Sequence, residues 1–122
     1  MNCGRKKRRE LRRKTVTADY FLGSIGAITQ DGYLVATDQT GSRVGAYLFA
    51  AKNLIVVSGA NKIVKDLDEA MKRIREYVYP KEDERLMKAY NANSSTSKWI
   101  IFEREKTLDR VHVILVKEAL GF

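Results

Sequence analysis

The sequence predicts an α/β domain built around parallel strands, on three observations. Three short apolar runs, 20–22, 33–36 and 54–57, are rich in β-branched and aromatic residues and give way to glycine and small polar residues, the mark of buried strands. The run Leu54-Ile55-Val56-Val57 is apolar at every position, as a parallel strand covered on both faces must be. It leads through a Gly59 loop into an amphipathic helix opened by Asp66-Leu67-Asp68-Glu69, which has the form of a capping box. Together these make one strand-to-helix unit.

Taken in order, residues 1–17 form a basic leader, either helical or disordered. Lys and Arg outnumber Glu there by eight to one, so the leader holds +7 of the total charge of +8, and the remainder is almost neutral. Residues 18–122 form the domain. Residues 25–29 and 33–36 flank Gln30-Asp31-Gly32, an Asp-Gly turn that predicts a hairpin. Residues 38–42 offer several caps for a short helix over 43–51, in which Val44, Tyr47, Leu48 and Ala51 share a face. In the next helix Leu67, Ala70, Met71, Ile74 and Val78 make the apolar stripe, and Pro80 ends it or sets a boundary beside it. A further short helix is expected over 81–90, then a polar loop over 91–97. Two last strands, 99–102 and 111–116, are expected to pair antiparallel, because the charged link between them holds no crossover helix.

Composition bounds the function. A chain of 122 residues is one domain. No apolar run approaches the ~20 residues of a membrane span, and the basic start lacks the apolar stretch of a secretory signal. One cysteine, Cys3, cannot form an internal disulfide, which fits a cytoplasmic protein. With one cysteine and one histidine, a zinc site within the chain is close to excluded, and no metal or cofactor is expected. Neither GxGxxG nor GxxxxGK occurs.

The order DYFLGSIGAITQDGYLVATDQTGSRVGA, then LIVVSGANKIVKDLDEAMKRI, then RVHVILVKEALGF, resembles the C-terminal portion of the lactate-utilisation (LUD) domain family, typified by lactate-utilisation protein C. Its most specific pieces are residues 38–43 with Gly45, and Asn61-Lys62-Ile63-Val64 before Asp66. The resemblance implies a three-layer α/β/α sandwich with a mostly parallel sheet, of the sugar-phosphate isomerase and coenzyme A transferase-like type. It also implies a link to oxidation of L-lactate to pyruvate, in a system whose iron-sulfur proteins are separate chains. Relatives carry further strands and helices before the segment matching Ala18, so the sheet is expected to be incomplete at its N-terminal side, with an edge another chain covers and a homo-oligomer as the outcome. Some relatives have a cysteine cluster where this chain reads Asn91-Ala92-Asn93-Ser94-Ser95-Thr96-Ser97, so no redox centre is carried over.

If the strands run parallel, the loops 23–26, 37–43 and 58–62 gather at the carboxyl edge of the sheet, where such folds bind ligands. Gly23, Gly41 and Gly59 are expected on one rim, with Gly26 near them; tight turns would explain these glycines equally well. The expected ligand is a small anionic metabolite, a carboxylate or phosphate, held by Asp38, Thr40, Gly41, Arg43, Asn61 and Lys62. Arg43 offers a bidentate fork and Lys62 a point charge, while surface ion pairs are the plainer role for both. Asp38 is the best carboxylate, as a catalytic group or as a helix cap. No set of acid, base and nucleophile stands out, so catalysis stays open; His112 reads as a strand residue and Trp99 as core or interface. The alternative partner is nucleic acid, with Arg5, Lys6, Lys7, Arg8, Arg9, Arg12, Arg13 and Lys14 neutralising phosphates. No aromatic side chain for base stacking precedes Tyr20.

Overall fold

A computed structural model describes residues 3–122 of the chain. In chain order the elements are helix α1 (Cys3–Thr15), strands β1 (Tyr20–Gly23), β2 (Ala27–Thr29) and β3 (Leu34–Asp38), helix α2 (Ser42–Gly45), strands β4 (Asn53–Gly59) and β5 (Ile63–Val64), helices α3 (Leu67–Arg73) and α4 (Tyr79–Tyr90), and strands β6 (Lys98–Phe102) and β7 (Val111–Val116). The α/β class with mostly parallel pairing, read from the sequence, is what forms. The strands are shared between two sheets. One is all parallel in the order β1-β4-β7, and the other is mixed in the order β5-β2-β3-β6.

The parallel sheet is centred on β4, whose alternate residues Leu54, Val56 and Ser58 are buried while Ile55 and Val57 are half-covered. Leu54 and Val56, with Val44 and Tyr47 of the α2 segment, pack against Ile28, Leu34, Ala36 and Phe102 of the mixed sheet. The opposite face of that sheet, through Ala27 and Val35, packs on Ala70 and Ile74 of the long helix. Burial on both faces explains why Ala27-Ile28 of β2 and Leu34-Val35-Ala36 of β3 are apolar without alternation. The outer face of the parallel sheet is different, because Tyr20, Leu22 and Ile114 remain exposed on it.

The Asp-Gly hairpin forms as expected, with Ala27 opposite Val35 and Ile28 opposite Leu34. Gly32 supplies the positive φ of 97° that the turn needs. Asp66 caps α3, its Oδ1 accepting from the Glu69 amide at 2.9 Å, while the Glu69 carboxylate accepts from Lys65 N at 3.0 Å. Pro80 does not stop the helix. The turn before it widens into a π segment, Ile74–Val78, and helical dihedrals continue through Val78 into α4. A wide turn relieves the steric and hydrogen-bonding conflict proline brings to a regular helix, so a boundary appears without a break.

The expected antiparallel pairing of the last two strands is not what forms. β6 pairs antiparallel with β3, from Leu34 opposite Phe102 to Asp38 opposite Lys98, and β7 pairs parallel with β4, from Leu54 opposite Val111 to Gly59 opposite Val116. Within a single sheet, consecutive parallel strands need a crossover, usually a helix. Here the link 103–110 passes from one sheet to the other, so the uncharged strand Val111–Val116 can take the free edge of β4.

Candidate functional site

The loops after β1 and β3, and the 3-10 turn Ala60–Lys62 after β4, meet at one end of the molecule. They enclose a cleft of about 580 Å³ whose lining includes Ser24, Asp38, Thr40, Arg43 and Lys62. Helix α4 closes the far side with Glu82 and Arg85, and Ser94, Ser95 and Thr96 form part of the rim. The loops converge through polar side chains more than through glycines. Gly23 makes room for the buried Tyr47 ring, and a Cβ at Gly59 would lie 2.5 Å from Leu120 N and 2.7 Å from Glu118 O. Gly41, at φ 91°, lines an adjoining recess that shares Arg12, Gln39, Thr40, Ser42, Arg85 and Leu86 with the cleft, and only Gly26 and Gly121 of the glycines line the cleft itself. The proposed shared rim of Gly23, Gly41 and Gly59 is therefore replaced by packing roles for Gly23 and Gly59.

Lys62 is the centre of this cleft. Its side chain is only 6% exposed, and its ammonium donates to Ser24 Oγ at 2.8 Å and to the Ile25 carbonyl at 3.0 Å. No carboxylate lies within ion-pair distance of it among the described residues. Burial, then the positive charges of Arg73 and Arg43, push its pKa below the ordinary 10.5. Arg73 stands behind the cleft, donating to the Gly26 carbonyl at 2.7 Å. Arg43 donates to the Thr37 carbonyl at 2.5 Å and lies over the Tyr47 ring, 5.9 Å from its centre. Three cations thus converge on one place with neutral oxygens as their hydrogen-bond acceptors.

The acidic groups nearby are already engaged. Asp38 Oδ2 accepts from the amides of Arg43 at 2.9 Å and Val44 at 3.4 Å, and Oδ1 from Gln39 N at 3.0 Å, so it caps α2 in the manner of an N-terminal carboxylate. Glu82 forms a two-pronged pair with Arg85, at 2.6 and 2.8 Å, whose hydrogen bonds hold its carboxyl below the usual range against the pull of partial burial. Asp38→Asn keeps an acceptor oxygen for the cap and removes one negative charge from the cleft. It should cost about 1 kcal/mol of stability, read as a small drop in melting temperature, while anion affinity holds or rises; loss of binding would make the carboxylate a ligand group instead of a cap.

The other expected site residues divide. Thr40 lines the cleft, its hydroxyl 3.2 Å from Ser42 Oγ and its carbonyl accepting from Lys98 Nζ at 2.7 Å. Asn61 faces the C-terminal segment, accepting from Leu120 N at 3.1 Å and donating to the Gly121 carbonyl at 3.3 Å. Sequence reasoning missed Ser24 as a side chain, and missed Arg73 and Arg85 altogether. Arg73 sits one residue before the buried Ile74, which places it against the β1–β2 loop, and only the wound helix shows this. His112 lies outside the cleft, its Nε2 2.9 Å from the Asp109 carbonyl. No group of three or more metal-ligating side chains is clustered among the described residues. No described helix is long and apolar enough to cross a membrane.

The pattern that defines the LUD domain matches residues 3–116. The chain belongs to the LUD domain family. The match takes in α1 as well as the strands and helices that carried the resemblance, and at the level of family it relates this LUD domain to lactate utilisation. No curated protein and no solved structure matches the chain.

Proposed function

We propose that this LUD domain binds a small carboxylate or phosphate in the cleft over Lys62, as a component of lactate-type metabolism in which iron-sulfur chemistry resides on other chains. The observation that carries this reading is the buried Lys62 ammonium, with Arg43 and Arg73 near it and no counter-ion among the described residues. A charge removed from water is costly unless paired, and an incoming anion supplies the missing pair. Arg43 and the hydroxyls of Ser24 and Thr40 give such a ligand further donors. Calorimetry of the folded chain with lactate, pyruvate, inorganic phosphate and a sugar phosphate tests this. Saturable binding by one of them, abolished at high chloride or by a competing anion, is the expected result; silence from all four removes the reading.

A second role, assembly, is favoured by the parallel sheet. Its outer face shows Tyr20, Leu22 and Ile114 to solvent, and β7 pairs on one side only. An uncharged edge strand of this kind invites pairing with another chain. The nearly neutral domain would let a second copy approach. Light scattering is expected to give a dimer mass that reverts to monomer on Ile114→Lys; a wild-type monomer at high concentration removes the assembly reading.

A further inference from the structure

We infer that the recess beside the cleft is a groove for single-stranded nucleic acid, in which the arginine face of α1 holds phosphates and Tyr90 stacks a base. Five arginines of α1, at 5, 8, 9, 12 and 13, follow the i, i+3, i+4, i+7, i+8 spacing of one helix face. All five line a recess of about 1170 Å³ between α1, the loop before α2 and the end of α4, whereas Lys6, Lys7 and Lys14 do not. The expected basic arm is thus sorted by residue type. Arginine is the side chain whose planar fork grips phosphate at two points and also stacks on bases.

No aspartate or glutamate is among the residues that line the recess. Within α1 the one carboxylate, Glu10, makes only a 3.5 Å contact with Arg13, and the helix buries none of its side chains. Like charges three and four residues apart oppose such a helix. An external polyanion would relieve that repulsion. The row from Arg5 to Arg13 is about 12 Å long at helical rise, so an occupant that meets all five arginines must be extended.

Two observations favour a single strand over a duplex or a simple phosphate polymer. Tyr90, 71% exposed, stands in the recess at the end of α4, where Asn91 turns the chain through a left-handed conformation. It supplies the stacking surface that the basic segment lacks in sequence, and Gln39 and Asn93 bring amide groups that can meet base edges. The arginine face also looks toward α4 and the loop before α2. A helix that reads a duplex groove must present that face outward.

Fluorescence anisotropy with the full chain, a labelled ten-nucleotide single strand of mixed sequence and its duplex tests the assignment. The single strand should bind more tightly, with a log–log salt slope of about −3 for four to five neutralised phosphates. Arg5→Gln/Arg9→Gln/Arg13→Gln should weaken it at least tenfold. The charge-matched Lys6→Gln/Lys7→Gln/Lys14→Gln should weaken it less than threefold. Tyr90→Leu, at an exposed position, should weaken it roughly five- to a hundredfold and leave the salt slope unchanged, with circular dichroism reporting that the fold is kept. Equal losses from the two triple variants, indifference to Tyr90→Leu, tighter binding of the duplex, or equal competition by inorganic polyphosphate would each overturn the assignment.

Discussion

Replacing Arg110 by alanine should lower the melting temperature by roughly 10 to 20 °C, the largest effect expected of any single change outside the apolar core. Arg110 is 7% exposed and reaches the carbonyl end of the α2 segment, where the helix has widened into the π turn Ala46–Ala50. Its Nη2 donates to Ala46 O at 3.0 Å, its Nη1 to Tyr47 O at 3.0 Å and to Glu105 Oε2 at 2.9 Å, and its Nε to Ala51 O at 3.1 Å. The last carbonyls of a helix lack intrahelical donors, and one guanidinium serves several of them while placing a positive charge at the negative end of the helix dipole. Alanine removes this donor from Tyr47 O and Ala51 O, leaves Ala46 O with the Ala51 amide at 3.2 Å, and takes the ion-pair partner from the half-buried Glu105. About 3–5 kcal/mol is the usual cost of breaking such an arrangement, against ~5–15 kcal/mol for a whole domain. Arg110→Lys keeps the charge but not the fork and should fall between. Thermal melts by circular dichroism decide the matter: a shift under ~3 °C for Arg110→Ala would show that water replaces the guanidinium without loss.

Much of the fold was legible because local chemistry decided it. The Asp31-Gly32 turn, the Asp66 cap and the wholly apolar β4 each depend on residues adjacent in sequence, and each forms where those residues stand. What was not legible depended on partners far along the chain. Nothing within 99–116 indicates that β6 joins β3 while β7 joins β4; that choice follows from which sheet edges the earlier strands leave open. The candidate cleft shows the same division. Lys62, Arg43, Asp38 and Thr40 were marked by their loops, and all four line the cleft, but the carboxylate of Asp38 is taken up by α2, and Asn61 by the C-terminal segment. Arg73 and Tyr90 were not marked as site residues at all, since periodicity reports one apolar face and says nothing of what approaches the others. The π segments were equally hidden, because α and π turns share residue preferences and differ only in how packing stretches them.

Lys62→Met is expected to separate affinity from stability. The ammonium sits in a buried place without a counter-ion among the described residues, so an apolar side chain of similar length removes a desolvation cost while filling the same space. Ser24 Oγ can turn to solvent, and the melting temperature should hold or rise by about 3–5 °C per kcal/mol gained. Anion binding should fall at least tenfold. Lys62 carries its lowered pKa into a pH test whose sign is fixed. Between that pKa and 10.5 the unfolded chain binds the proton that the folded chain releases, so this group makes stability rise with pH across that window and leaves the full penalty below it. A bound anion favours the protonated amine, so affinity should decline as pH rises through the depressed pKa, before ordinary lysines titrate. Lys62→Arg, charged throughout, should flatten that decline. Calorimetry across pH on the wild type and both variants provides the check. Undiminished binding by Lys62→Met would place the anion elsewhere, and a large loss of stability would mean that Ser24 and Ile25 satisfy the ammonium better than a counter-ion could.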